Sequence, residues 1–277
     1  MRISLAQLDS TLGDVDANLR RIATTVQAAQ ADCSDLVVFP ELATHGFPIG
    51  HLDPESYLNA ADTRLAALAP GSTDVVLGFH EKSGIRKYNS AGYLSGGSML
   101  HVQRKLYLPT YLSWEERKFS SPGQDLRAFD TSGGRFAITI CNDAWQPVVP
   151  WLAAQAGAEV IIIPANSAVT GVDIDLDTIE YWSMILTFIA RMNQSWVVFV
   201  NRVGTENEAR YWGASRVVDP SGAIAVQGPL WQESLVSVDI DVSAANRERR
   251  SIPLLSEARL GFLQKTIKEL IRDGGDL

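Results

Sequence analysis

Two short runs, "DLVVFP" and "EVIIIP", constrain this chain most. Each is a continuous apolar stretch of strand length closed by a proline, with no alternation that would leave one face in water. Such strands need cover on both faces. Helix-patterned segments between the strands supply it. Leu19, Ile22, Val26 and Ala29 recur at helical spacing in a helix entered near Asp14. A second helix is expected over "DPESYLNAADTRLAAL", with Asp53 as N-cap, Pro54 at the first position and Pro70-Gly71 as the stop. Further helices are expected over 147–157, 176–193 and about 256–272. "RISLAQL", "DVVLGFH", "RFAITI", "WVVFVN" and "SLVSVDID" read as strands. "NSAGYLS" and "SMLHVQRK" form a hairpin turned at Gly96-Gly97, and "GASRVVDP" with "AIAVQG" another at Asp219–Gly222. Buried strands that alternate with helices and also carry hairpins predict an α/β fold of mixed sheets covered by helices. No stretch rich in Gly, Ser or Pro divides the 277 residues, so a single domain over 1–277 is expected.

Composition narrows the function. The net charge is −8 with no basic cluster, which argues against nucleic acid as a partner. No apolar run reaches membrane-span length, and the N-terminus lacks the apolar core of a signal peptide. Cys33 and Cys141 are the two cysteines, too few for a disulfide framework and without zinc-ligand spacing. A soluble cytoplasmic protein acting on a small molecule is expected. There is no Walker loop, G-x-G-x-x-G or G-x-S-x-G, and no metal-site spacing, so no cofactor and no metal are expected.

Three polar residues stand at or just past the ends of apolar strands: Glu41 after "LVVFP", Lys105 after "SMLHVQR" and Cys141 after "RFAITI". Strand ends are where α/β folds gather reactive side chains. Singly, each has an ordinary reading: a helix-start acid, an edge lysine, a core thiol. Together they form a kit for cleaving a carbon–nitrogen bond. A cysteine attacks as thiolate, which a nearby ammonium favours. A carboxylate can take the thiol proton and return it to a leaving amine, while the lysine and the Asn142 N–H face the oxyanion.

In order and spacing, "VVFPELATHGFP", "RKLYLPTYLSWEERKFSSPG" and "ITICNDAW" resemble the three signature regions of the nitrilase (carbon–nitrogen hydrolase) superfamily. The resemblance covers nearly the whole chain and implies a Glu41–Lys105–Cys141 triad. It further implies an α-β-β-α sandwich of two mixed sheets, and pairing through the helical face into homodimers or higher oligomers. The second glutamate that many members carry after the lysine aligns with Glu116, with Glu115 as the alternative. True nitrilases typically place Trp-Glu after the cysteine; this chain does not, so nitriles rank behind amides. The branch looks closest to amidases and to the glutaminase domain of glutamine-dependent NAD synthetases. Because the sequence ends without a synthetase domain, a free-standing amidase is the first expectation. It would convert a linear amide to a carboxylic acid and ammonia through a cysteine thioester. N-carbamoyl amide hydrolysis is the alternative, and a catalytically silent scaffold is the reading from another class. Tyr111, Asn142, Trp145 and Asn166 are candidate substrate contacts. Aromatic packing competes for Tyr111, a core role for Trp145 and a turn for Asn166. For Trp182, helix packing is the better reading.

Overall fold

The computed structural model describes residues 1–47, 53, 56–110, 115–170 and 177–274. The first half runs β1 (Arg2–Gln7), α1 (Val15–Ala31), β2 (Leu36–Val38), α2 (Thr63–Ala66), β3 (Asp74–Ser83), β4 (Arg86–Ser95) and β5 (Ser98–Arg104). Then come β6 (Phe129–Thr131), β7 (Gly134–Ile138), α3 (Val148–Gln155), β8 (Val160–Ala165), β9 (Ala168–Thr170) and α4 (Thr178–Asn193). The remainder is β10 (Trp196–Asn201), β11 (Val203–Glu206), β12 (Ala209–Trp212), β13 (Arg216–Val218), β14 (Ile224–Gln227), β15 (Ser234–Asp239), α5 (Ala244–Ser251) and α6 (Leu260–Arg272).

Two six-stranded sheets result, ordered β15-β1-β2-β3-β4-β5 and β14-β13-β10-β8-β7-β6. Both are mixed. β1, β2 and β3 are mutually parallel, as are β7, β8 and β10, and the flanking strands add antiparallel. Alternate residues explain the all-apolar runs. Leu36 and Val38 meet Ile138, Ile162 and Val198 between the sheets, whereas Val37 and Phe39 pack under Leu19, Ile22 and Val26 of α1. On the far side Ile161, Ile163 and Phe199 lie under Trp182, Leu186 and Ile189 of α4. The arrangement is the α-β-β-α sandwich implied by the sequence. Asp14 caps α1 by accepting the Ala17 N–H at 3.0 Å.

Two expectations need correction. The helix expected from Asp53 begins only at Thr63, capped by Asp62. β2 is too short to cover the end of β3, and Leu58 takes that open edge, with its N–H bonding His80 C=O and its C=O accepting Lys82 N–H. Pro54 lies outside the described residues. Pro164 does not stop its strand either: β8 runs on to Ala165, where its neighbour β7 has already ended and no ladder N–H is needed on that side. The small sheet β11-β12-β9 had no clear signal in the sequence.

The end of β2 depends on one glycine. Pro40 C=O accepts the Gly78 N–H, keeping the chain beside β3 until it turns at Leu42. A Cβ on Gly78 would stand 2.1 Å from Leu42 N and 2.7 Å from Glu41 Cα. Gly78→Ala is therefore expected to displace Glu41, lowering turnover by about 10²-fold along with the thermal midpoint. An alanine variant with normal kinetics would show that the Glu41 backbone tolerates the shift.

Candidate active site

Glu41, Lys105 and Glu116 converge in one buried cluster. Lys105 Nζ donates to Glu41 Oε1 at 2.7 Å and to Glu116 Oε2 at 2.8 Å. Asn89 Nδ2 donates to both carboxylates, to Glu41 Oε1 and Glu116 Oε1, each at 2.7 Å. The remaining Glu41 oxygen accepts the Asn166 N–H at 2.8 Å. Each carboxylate thus has a charged and a neutral partner, as buried ions require. The two candidate glutamates differ in placement: Glu116 is buried against Lys105, whereas Glu115 is exposed and pairs with Lys118.

Cys141 heads a short 3₁₀ helix, Cys141–Trp145, just beyond β7, with φ of +46°. A left-handed non-glycine residue at a strand-to-helix turn is strained and typical of functional positions. Burial pushes the Cys141 thiol well above its ordinary value, and the Glu41 charge adds to the rise. Lys105 and the Asn166 N–H only partly oppose this. Lys105, which favours the thiolate, is itself shared between two carboxylates. Burial alone would pull the Lys105 ammonium down, but Glu116 and Glu41 outweigh it and hold the group well above its ordinary value. Burial pushes the Glu116 carboxyl up; Lys105 pulls it back, and Glu41 reinforces the rise.

The four candidate substrate contacts fare differently. Tyr111 lies outside the described residues. Asn142 Nδ2 donates to Tyr107 C=O at 3.0 Å. Trp145 stacks on Tyr181 with ring centroids 5.2 Å apart and lines a groove of about 690 Å³ with Tyr107, Pro109, Arg117 and Asn142. Asn166 is buried, and its side-chain Nδ2 and Oδ1 have no partner among the described residues. Its backbone is pinned from the next residue: Ser167 Oγ accepts the indole N–H of Trp182 at 2.9 Å and of Trp212 at 3.1 Å, and Ser167 N–H bonds Asn201 Oδ1. Trp182 belongs to the core under α4.

Several contributors were not singled out from the sequence. Asn89 sits on β4 inside a stretch read only as a hairpin. Asp143 is wholly buried and accepts N–H groups from Ile140, Leu106 and Tyr107. Burial pushes its carboxyl up to about 7 against those three donors and Lys105. The Phe47 ring centroid lies 5.8 Å from Lys105 Nζ, and the Phe47 N–H bonds Glu206, itself paired with buried Arg202 at 2.6 Å. A buried polar residue on a strand's inner face, as at Asn89, was the available signal. Among the described residues no group of His, Cys, Asp or Glu suits a metal ion, and no helix is long and apolar enough to cross a membrane.

A two-sheet sandwich with a cysteine turn beside a buried carboxylate–lysine cluster defines the nitrilase-like class of hydrolases. Residues 2–250 match the carbon–nitrogen hydrolase family, and the chain belongs to that family. It is 32% identical over 249 residues to the glutamine-dependent NAD(+) synthetase of Thermotoga maritima, covering 87% of this chain and 42% of that one. The chain spans less than half the length of the first synthetase relatives it matches. The carbon–nitrogen hydrolase of Helicobacter pylori superposes with a TM-score of 0.86 at 22% identity, over 96% of this chain and 98% of that one. An amidase from Nesterenkonia sp. superposes at 0.80 with 22% identity, over 96% and 95%.

Proposed function

We propose that the chain hydrolyses a linear amide to a carboxylic acid and ammonia through a thioester on Cys141. The observation that carries this reading is the buried Lys105 ammonium bonded to both Glu41 and Glu116 beside Cys141. Glu41 takes the thiol proton as Sγ attacks the amide carbonyl. Lys105 and the Asn142 backbone N–H stabilise the oxyanion. Glu41 then gives its proton to the departing nitrogen, releasing ammonia. It next removes a proton from water, which attacks the thioester, and the proton finally returns to Sγ. Glu116 holds Lys105 and orients the substrate amide. The Asn166 side chain, without a partner among the described residues, offers that amide a donor and an acceptor, and Trp145 bounds the acyl side.

The synthetase and amidase relatives support amides over nitriles. In a glutamate-to-glutamine mutant of the Nesterenkonia amidase, the acetamide moiety of fluoroacetamide is attached covalently at the active-site cysteine. Ammonia release over a panel of amides, N-carbamoyl compounds and nitriles tests the reading. Amides should turn over fastest, and silence across the panel with an unreactive Cys141 would overturn it.

Glu41→Gln separates base from nucleophile. Removing the Glu41 charge takes away the second cause of the raised thiol, leaving Lys105 to pull it down. Alkylation of Cys141 by iodoacetamide should therefore become faster at neutral pH, with its midpoint moved to lower pH, while ammonia release is lost. A midpoint moved upward would contradict this electrostatic account.

We also take residues 1–277 as one cytoplasmic hydrolase domain that works without a cofactor as a homo-oligomer. Tyr181, Met184, Phe188 and Met192 of α4 and Leu260, Phe262, Ile267 and Leu270 of α6 are exposed, apolar faces suited to a second copy. Light scattering should give at least twice the chain mass of 30.2 kDa; a strict monomer would refute the assembly.

A further inference from the structure

β5, which leads to Lys105, is the edge strand of one sheet, and β7, which leads to Cys141, belongs to the other. No strand ladder therefore sets these two residues against each other. A side chain has to do it. Asp143 Oδ2 accepts the Ile140 N–H at 3.0 Å, closing the turn that holds Cys141 between them. Oδ1 accepts the N–H groups of Leu106 at 2.9 Å and Tyr107 at 2.8 Å, the two residues that follow Lys105. Asn142 Nδ2 adds a contact in the same direction, to Tyr107 C=O at 3.0 Å. Three N–H groups converging on one side chain call for an acceptor on both of its ends, which a carboxylate provides and an amide does not.

We propose that Asp143 is a positioning residue for the reaction: its carboxylate, with the Asn142 side chain as a second clasp, sets the nucleophile turn against the strand end that carries Lys105. This rests on the amidase reading of the same site. Misplacing a reacting group by about 1 Å costs on the order of 10²-fold in rate, so a relaxed clasp acts on the chemical step and spares substrate binding.

Asp143→Asn keeps the shape but turns an NH₂ toward at least one of the three N–H groups. In protein that circular dichroism shows to be folded, kcat for the best amide of the panel should fall by about 10- to 100-fold, with KM nearly unchanged. A folded variant with wild-type kcat, or a loss confined to KM, would overturn the proposal. Should Asp143→Asn fail to fold, Asn142→Ala decides. It keeps the backbone N–H assigned to the oxyanion and removes the half-buried second clasp to Tyr107 C=O. Its kcat should fall by about fivefold at an unchanged thermal midpoint, and an unchanged kcat would refute the clasp. Cys141→Ala measured alongside keeps the two readings apart. If it stays active, the amidase mechanism falls; if it is dead while Asp143→Asn is fully active, only the positioning role falls.

Discussion

Cys141→Ala is expected to lower ammonia release by on the order of 10⁴- to 10⁶-fold, while Cys33→Ala leaves it unchanged. The contrast follows from placement. Cys33 is exposed and precedes β2, on the side where Asp35 bonds Arg2 at the start of β1. Glu41 follows β2 at its other end, so the strand itself separates Cys33 from the cluster. Cys141 stands where the Glu41 carboxylate raises its thiol and can receive its proton. Steady-state ammonia release measures the difference, and mass spectrometry of a slowed variant should find the acyl group on the Cys141 peptide. Full activity in Cys141→Ala would end the thioester mechanism.

Lys105→Met is expected to abolish turnover and to lower folding stability by about 3–5 kcal/mol, the usual cost of removing one partner from a buried ion cluster. Without the ammonium, Glu41 and Glu116 are left buried side by side, sharing Asn89 as their common donor. The triple variant Lys105→Met, Glu41→Gln, Glu116→Gln should regain part of that stability and none of the activity. Urea denaturation of the two variants decides the matter. If Lys105→Met unfolds at the wild-type urea concentration, the carboxylates are not relying on Lys105 for compensation.

Glu41, Lys105 and Cys141 could be read from the sequence because each breaks an apolar run at its end, and the fold gathers strand ends. The two mixed sheets were legible for a related reason: runs such as "LVVF" can be wholly apolar only when both faces are covered. Asn89 and Asp143 left no such trace. Asn89 sits in a strand of mixed polarity, and Asp143 acts on backbone N–H groups more than thirty positions away. The helix expected from Asp53 failed because capping residues report local preference, whereas the open edge of β3 is a tertiary fact. The sharing of Lys105 was hidden for a similar reason: the motif shows the lysine, but not that two buried carboxylates hold it.

The left-handed backbone of Cys141 sets two kinds of selection against each other. At φ of +46° an L side chain costs roughly 1–2 kcal/mol that glycine does not. Under pressure for folding alone, position 141 would drift toward glycine, gaining stability while losing the thiol. Cysteine at this position thus trades folding stability for a thiol. A library randomised at this one codon should split according to whether it is sorted for a folded protein or for released ammonia.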